Sequence, residues 1–245
     1  MAFEVAKRRS LGANGPMQRS APFDGWSAVY EAGAWLYSGG AIPASKRVQV
    51  ELLGPGDRVL YLGAGAGEDA AWAARRGADV TCIDLSARML ARLEQRLHRA
   101  GLSARLLCGD ALEHAAPQSY DAVAANYFLN CFRRDAMRAQ LRHALTLLRP
   151  EGRMLIADVA PPPAGRAARW INLAYLKPSM ALFWALGAIP WHENYDYEAE
   201  LHALGFRTER RWDFRLLGCG PAVFRTLAAR RNPSAADPRA TRSAE

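Results

Sequence analysis

Residues 58–70 read Arg-Val-Leu-Tyr-Leu-Gly-Ala-Gly-Ala-Gly-Glu-Asp-Ala, an apolar run that breaks into three alternating glycines. Val59 to Leu62 has the continuous apolar character of a buried strand. Gly63, Gly65 and Gly67 permit a sharp turn with positive φ and leave no Cβ between backbone and ligand. The Ala-rich segment Asp69 to Arg76 reads as a helix that starts at the turn. Together these pieces form a cradle for a small ligand, although a single glycine-rich turn is also a common structural device. The flanking sequence decides between the two.

Downstream, strand and helix patterns alternate. Asp79 to Ile83 reads as a strand, and Ser86 to Arg99 as a helix with Met89, Leu90, Leu93 and Leu97 on one face. Arg105 to Cys108 and Tyr120 to Ala125 are further strands. Asp135 to Leu148 is a helix with Met137, Leu141, Leu145 and Leu148 inward, and Arg153 to Asp158 is a fifth strand. This alternation predicts an α/β fold, a doubly wound and mostly parallel sheet covered by helices on both faces.

Upstream, Trp26, Val29, Tyr30, Ala34 and Tyr37 fall at helical spacing, Ser38-Gly39-Gly40 breaks the pattern, and Pro43 to Leu53 forms a second helix ending at Gly54-Pro55-Gly56. Residues 23–56 are therefore expected as a helical cap. After Pro161-Pro162-Pro163 comes a segment rich in Trp, Tyr and Leu, residues 165–197, read as an aromatic cap insertion with one or two helices over 165–192. Glu198 to Leu204 is a short helix. Phe206 to Phe214 and Val223 to Leu227 form a closing strand pair around Gly218-Cys219-Gly220-Pro221. The organisation expected is a mobile arm over 1–22, one domain over 23–231 and a disordered tail over 232–245, with no internal repeat.

The 245 residues suffice for one large α/β domain. The net charge of +8 gathers near the ends, at Lys7, Arg8, Arg9, Arg230, Arg231, Arg239 and Arg242. That placement speaks for solvated tails able to approach an anionic membrane surface peripherally, and against a nucleic-acid face. Cys82, Cys108, Cys131 and Cys219 are widely spaced, as for free thiols in a reducing compartment; cytoplasmic localisation and no metal are expected. The basic N-terminus has no apolar segment after it, so no secretory signal is read. Leu173 to Pro190 is interrupted by Lys177, Pro178 and Gly187, too short and broken for a membrane span.

Open α/β sheets bind ligands outside the carboxyl ends of their strands. Besides the glycine loop, two more candidate contacts lie there. Asp84, followed by Leu85, ends the second strand about 20 residues beyond the loop, where a carboxylate can accept from both ribose hydroxyls. Asp110 and Ala111 end the third, where a carboxylate and a backbone amide can read an adenine edge. Ser86 is better read as a helix cap. Three contacts on three successive strands are hard to ascribe to turn-making alone.

On these residues the chain resembles the class I S-adenosylmethionine-dependent methyltransferases, and among them the ubiquinone and menaquinone C-methyltransferase group. The resemblance covers residues 57 to about 160 and includes Tyr120-Asp121-Ala122-Val123, Leu148-Arg149-Pro150-Glu151-Gly152 and, further on, Leu204-Gly205-Phe206-Arg207. It implies a seven-stranded sheet ending in an antiparallel hairpin. It also implies S-adenosyl-L-methionine held by Gly63, Gly65, Gly67, Glu68, Asp84, Leu85, Asp110, Ala111 and Asn126. The family usually carries an acid two residues before the first glycine, where this chain has Tyr61. Its role at the methionine end of the cofactor is either lost or moved to Glu68 or Asp69.

Methyl transfer from a sulfonium needs in-line approach, positioning and desolvation, with a base only when the acceptor must first lose a proton. Asn126, Tyr127 and Asn130 at the end of the fourth strand, and His192, Glu193 and Tyr195 after the aromatic insertion, are candidates; Tyr127 and His192 are the expected catalytic residues. His98 and His143 read as solvated, and His114 as either pocket-lining or a loop residue. Asn126-Tyr127-Phe128 lacks the Asn-Pro-Pro-aromatic signature of amine and amide methylators. An insertion from Trp170 to Trp191 containing Tyr175, Phe183 and Trp184 suits a roof over a small, partly hydrophobic acceptor. Two other readings compete. A nicotinamide-dependent oxidoreductase would want Gly-x-Gly-x-x-Gly, but Glu68 occupies the third position and would repel a pyrophosphate. A non-catalytic binding or regulatory member of the fold fits the substitution at Tyr61.

Overall fold

The computed structural model describes residues 4–5, 35–185, 194–215 and 218–232. The expectations for Trp26, Val29, Tyr30 and Ala34 in the cap, for the tail from 233 onward and for Trp191, His192 and Glu193 fall on residues outside these. Along the described chain run β1 (Glu4–Val5), α1 (Ala41–Val50), β2 (Arg58–Leu62), α2 (Glu68–Arg75), β3 (Asp79–Asp84), α3 (Ala87–Arg99), β4 (Arg105–Cys108) and β5 (Tyr120–Asn126). They are followed by α4 (Arg134–Leu147), β6 (Leu148–Val159), α5 (Arg166–Ala185), α6 (Tyr197–Ala203), β7 (Phe206–Arg215) and β8 (Ala222–Arg231).

The strands form one sheet in the order β1-β4-β3-β2-β5-β6-β8-β7. The seven expected strands are present, parallel from β4 to β6 and antiparallel where β8 inserts between β6 and β7. Within the arm expected over 1–22, Glu4 and Val5 instead extend the sheet by pairing with Leu107 and Cys108. Paired backbone groups outweigh the polar, aperiodic character of the surrounding segment there.

Alternation along the strands sorts the core into two halves. Val59, Tyr61, Val80, Cys82, Ala122 and Ala124 face α2 and α3, whose Ala70, Ala73, Leu90, Leu93 and Leu97 they meet. Leu60, Leu62, Ile83, Val123 and Ala125 face the other way, onto Met137, Leu141 and Ala144 of α4 and Leu201 of α6. Both faces being apolar explains why the sequence shows continuous hydrophobic runs. Chain progression runs outward through β3 and β4 on one side of β2 and through β5 and β6 on the other, so the switch point falls between β2 and β5.

Ser86 caps α3 as expected: its buried Oγ accepts from Met89 N at 3.1 Å. Ser86→Ala is expected to lower the unfolding free energy by about 1 kcal/mol in chemical denaturation, with cofactor affinity little changed. The fifth strand is longer than the sequence indicates. β6 begins at Leu148 rather than Arg153, because Leu148 pairs with Tyr120 before a register shift around Pro150-Glu151-Gly152. α5 is a single helix that carries Pro178 inside it. No described helix is long and apolar enough to cross a membrane.

Candidate active site

The β2–α2 turn is built as its glycines suggest. Gly63, Gly65 and Gly67 have φ of 61°, 56° and 64°. Their surroundings differ. A Cβ on Gly63 would lie 2.3 Å from the Phe128 ring, and one on Gly67 would lie 2.3 Å from Leu93 Cδ1. At Gly65 a Cβ would meet nothing within 4 Å. Two of the glycines therefore serve packing, and the middle one borders open space.

Asp84 reaches back to that middle glycine. Its Oδ2 accepts from Gly65 N and its Oδ1 from Ser86 N, each at 2.8 Å. The carboxylate thus ties the end of β3 to the loop after β2, and each oxygen has a further lone pair for a ligand hydroxyl. Asp110, one strand further out, is exposed and accepts from Leu112 N at 2.9 Å, which caps a 3₁₀ turn over Ala111–Glu113. Ala111 is buried behind it. Leu85 and Leu112 lie beside the two carboxylates with relative exposures of 53% and 43%. Exposed leucines next to acceptors suit the faces of an aromatic base. Leu112 carries no sequence signal of its own, because a leucine after Asp-Ala reads simply as core.

At the end of β5 the structure departs from simple expectation. Asn126 is 8% exposed and belongs to a buried network. Its Nδ2 donates to Asp69 Oδ2 at 2.7 Å, and its Oδ1 accepts from Gln49 Nε2 at 2.8 Å and from Ala157 N at 3.1 Å. Tyr61, fully buried, donates its hydroxyl to the Asp69 carbonyl at 3.3 Å. Burial first and the neighbouring Asp69 second push the Tyr61 pKa well above the usual phenol value, so Tyr61 stays neutral and supplies no charge. Glu68 opens α2.

Tyr127 adopts a left-handed backbone with φ of 52°, unusual for a bulky residue. Its N–H is held by the Ala157 carbonyl at 2.8 Å, and its hydroxyl lies 2.8 Å from Ser45 Oγ. Ser45 gives its single hydrogen to the Ile42 carbonyl at 2.7 Å, so Tyr127 is the donor in that pair. The ring packs edge-on to Phe224, in a cluster with Ala41, Leu176 and Val223.

Beyond β6, a cavity of about 30 Å³ is lined by Asn130, Asp158, Met180, Asn194, Tyr195 and Tyr197. Asp158 accepts from Val159 N at 2.7 Å, from the Tyr197 hydroxyl at 3.0 Å and from the Asn130 backbone. Complete burial nevertheless outweighs those three donors and raises the Asp158 pKa to about 7. Burial, and then the carboxylate beside it, push the Tyr197 pKa well above its ordinary value. Tyr195 is buried and donates to the Phe132 carbonyl at 3.0 Å.

Trp170 and Trp184 are 74% and 56% exposed on α5 rather than packed on the described residues, whereas Tyr175 stacks on Tyr37 at 4.7 Å between ring centroids. Helical periodicity turned the tryptophans outward, a direction that residue type alone does not reveal. His143 is not solvated but half-buried, with Nε2 3.1 Å from the His114 carbonyl, and His114 Nε2 lies 2.8 Å from the Tyr120 hydroxyl. Among the described residues no group of three or more His, Cys, Asp or Glu could hold a metal ion.

A glycine turn and two acceptor carboxylates thus stand at successive strand ends beside the switch point of this strand order, where open α/β sheets take their ligands. Residues 59–152 match the family described as "Methyltransferase domain". The chain is 36% identical over 121 residues to a demethylmenaquinone methyltransferase of Beutenbergia cavernae, covering 48% of each chain. It thus spans about half the length of the curated relatives it matches. Among solved structures, the Burkholderia thailandensis 1,6-didemethyltoxoflavin-N1-methyltransferase, with its substrate and S-adenosylhomocysteine bound, superposes with a TM-score of 0.64 at 20% identity over 91% of this chain and 93% of that one. The magnesium protoporphyrin IX methyltransferase of Synechocystis PCC 6803 superposes with a TM-score of 0.57 at 21% identity over 91% and 90%. The family match over residues 59–152 and the superpositions thus agree on one fold, that of the solved methyltransferases on which the chain superposes.

Proposed function

We propose that this protein transfers a methyl group from S-adenosyl-L-methionine to a small, partly hydrophobic acceptor. The observation that carries the reading is the bond between Asp84 Oδ2 and Gly65 N, which couples the ribose-type acceptor to the one glycine of the β2–α2 turn that borders open space. The residues fit the nucleoside part of the cofactor. Asp84 offers acceptors to a diol, Leu85 and Leu112 offer apolar surface to a base, and Asp110 and Ala111 stand at its edge. When bound, the cofactor supplies an electrophilic methyl group on a sulfonium. The chain's part is then to hold both reactants in line and exclude water. Names of the relatives support a small-molecule acceptor: demethylmenaquinone, 1,6-didemethyltoxoflavin and magnesium protoporphyrin IX are what those proteins are named for.

Titration calorimetry tests the reading. S-adenosylmethionine and S-adenosylhomocysteine are expected to bind, and NAD is not. Asp84→Ala is expected to weaken both by about 1–3 kcal/mol through unpaired hydroxyl partners. It should also lower the melting temperature, since Gly65 and Ser86 lose their acceptor. Tight NAD binding without a response to the sulfonium would reverse the assignment, and binding of none of the three would favour the regulatory reading. A turnover screen over quinols, phenols and small amines identifies the acceptor.

A further inference from the structure

The inner side of α5 is fixed by its contacts. Asn172 donates from Nδ2 to the Ala222 carbonyl at 3.2 Å, Leu176 is buried in a cluster with Val223 and Phe224, and Met180 borders the cavity beside Asp158. These three residues stand four apart, as one stripe of a helix must. The opposite side carries Trp170, Ile171, Ala174, Pro178, Ala181 and Trp184, and all six are exposed. A helix on the surface of a globular domain ordinarily turns charged and polar residues outward. Here the only charges in the 20 residues are Arg166, Arg169 and Lys177, and none is acidic. Residues 35–37 join the same surface: Tyr37 stacks on Tyr175, and just before it Trp35 and Leu36 are 58% and 76% exposed. Among the described residues, the other large apolar side chains with such exposure are Leu85 and Leu112 at the proposed nucleoside site.

An apolar outer face marks a surface that another phase or molecule covers. Its charge decides which. Two copies of α5 paired about a two-fold axis would set three cations against three, with no acid in either helix to receive them. An anionic lipid surface supplies the negative charge that the helix lacks, and the chain's net +8 adds to the attraction. Tryptophan is at home where acyl chains meet headgroups, and arginine and lysine lay their apolar stems along such a boundary while their charged ends reach the phosphates. α5 is not apolar enough to cross a bilayer, so it would lie along one.

We infer that the outer face of α5, with Trp35 and Leu36 beside it, docks this protein on an anionic phospholipid bilayer. The docking goes beyond the methyltransferase reading and does not depend on it. It also differs from attraction of the basic termini, which is purely electrostatic and needs no apolar contact. The cavity on the inner side of the helix then stands about one helix diameter, roughly 10–12 Å, from the lipid.

Flotation of the full chain with vesicles of phosphatidylcholine alone, and of phosphatidylcholine mixed with phosphatidylglycerol, tests the inference. The unaltered protein is expected to bind the mixed vesicles at least about 10-fold more strongly than the neutral ones. Part of that binding should survive high salt, because apolar contact is not screened. Trp170→Ser combined with Ile171→Ser is expected to weaken it by about 10- to 100-fold. Arg166→Gln combined with Arg169→Gln is expected to weaken it by about 10- to 30-fold. Both pairs alter exposed side chains, and thermal melts check that the fold is kept; the arginine pair decides the matter should the first fail to fold. Absence of binding to the mixed vesicles, or binding that the Trp170 and Ile171 pair leaves unchanged, would overturn the inference. So would a dimer in light scattering that the same pair dissociates, since the face would then belong to a second copy.

Discussion

Gly67→Ala is expected to destabilise the domain by about 2–5 kcal/mol, while Gly65→Ala leaves it folded with weakened affinity for the proposed cofactor. Both positions have left-handed φ, so alanine at either costs about 1–2 kcal/mol in backbone strain. Only at Gly67 does packing add to this. Its Cβ would press on three atoms of Leu93 at 2.3, 2.7 and 2.9 Å, and Leu93 is fully buried with no room to turn away. Such overpacking costs a further ~1–3 kcal/mol. Gly65 has no neighbour within 4 Å, so its alanine loses only the backbone contribution. The methyl group would then stand where a ligand must approach, and about a 10- to 100-fold loss of S-adenosylhomocysteine affinity is expected from a clash of that kind. Thermal melts and calorimetry on the same two variants check the pair. Equal stability losses, or unimpaired binding by Gly65→Ala, would show that the open side of the turn is not where the cofactor lies.

The second large effect is one of pH. Asp158 has a folded pKa near 7 against an ordinary value of 3.8. A group whose folded pKa is raised gives its full stability below the unfolded value and loses it as pH climbs through the folded value. For Asp158 that window runs from about pH 4 to about pH 7, and the gap corresponds to about 4 kcal/mol. Asn is close in shape to the protonated acid: its oxygen can take the Val159 N–H while its amide donates to Tyr197. Asp158→Asn should therefore match the unaltered protein near pH 4 and exceed it in unfolding free energy by several kcal/mol at pH 8. Denaturant melts at both pH values measure the difference, and other titrating groups cancel in the comparison. A variant less stable at pH 8 would mean that the three donors on Asp158 hold it ionised, with its pKa in the usual carboxylate range.

Much of the scaffold was legible because its signals are local. Apolar runs of four to six residues, glycines at turns and a serine before an amphipathic helix each follow from the conformational preferences of the residues concerned, and β2, β3 and α3 appear where they do. The proposed nucleoside side of the site shares this property, since Gly65, Asp84 and Asp110 sit at fixed offsets from strand ends. The rest depends on contacts between distant segments. Gln49 meets Asn126 from 77 residues away, and Asp158 meets Tyr197 across 39. Neither residue type at its position signals burial, and Asp69, singled out with Glu68 as the candidate for the displaced acid, gives no local sign that it meets Asn126. The exposure of Trp170 and Trp184 on α5 is hidden for the related reason that residue type indicates affinity for apolar surroundings and not direction.

Thr226 on β8 donates its hydroxyl to the Ser45 carbonyl on α1 at 2.6 Å, across 181 residues of chain. α1 also rests on β6 and β7, so the helix bearing Gln49 is seated by strands made late in synthesis. A nascent chain that has emerged as far as β6 already contains every glycine and carboxylate of the nucleoside cradle, yet lacks the β8 surface on which α1 settles. The segment that carries the proposed nucleoside contacts is thus complete before the surface that seats α1 has been made.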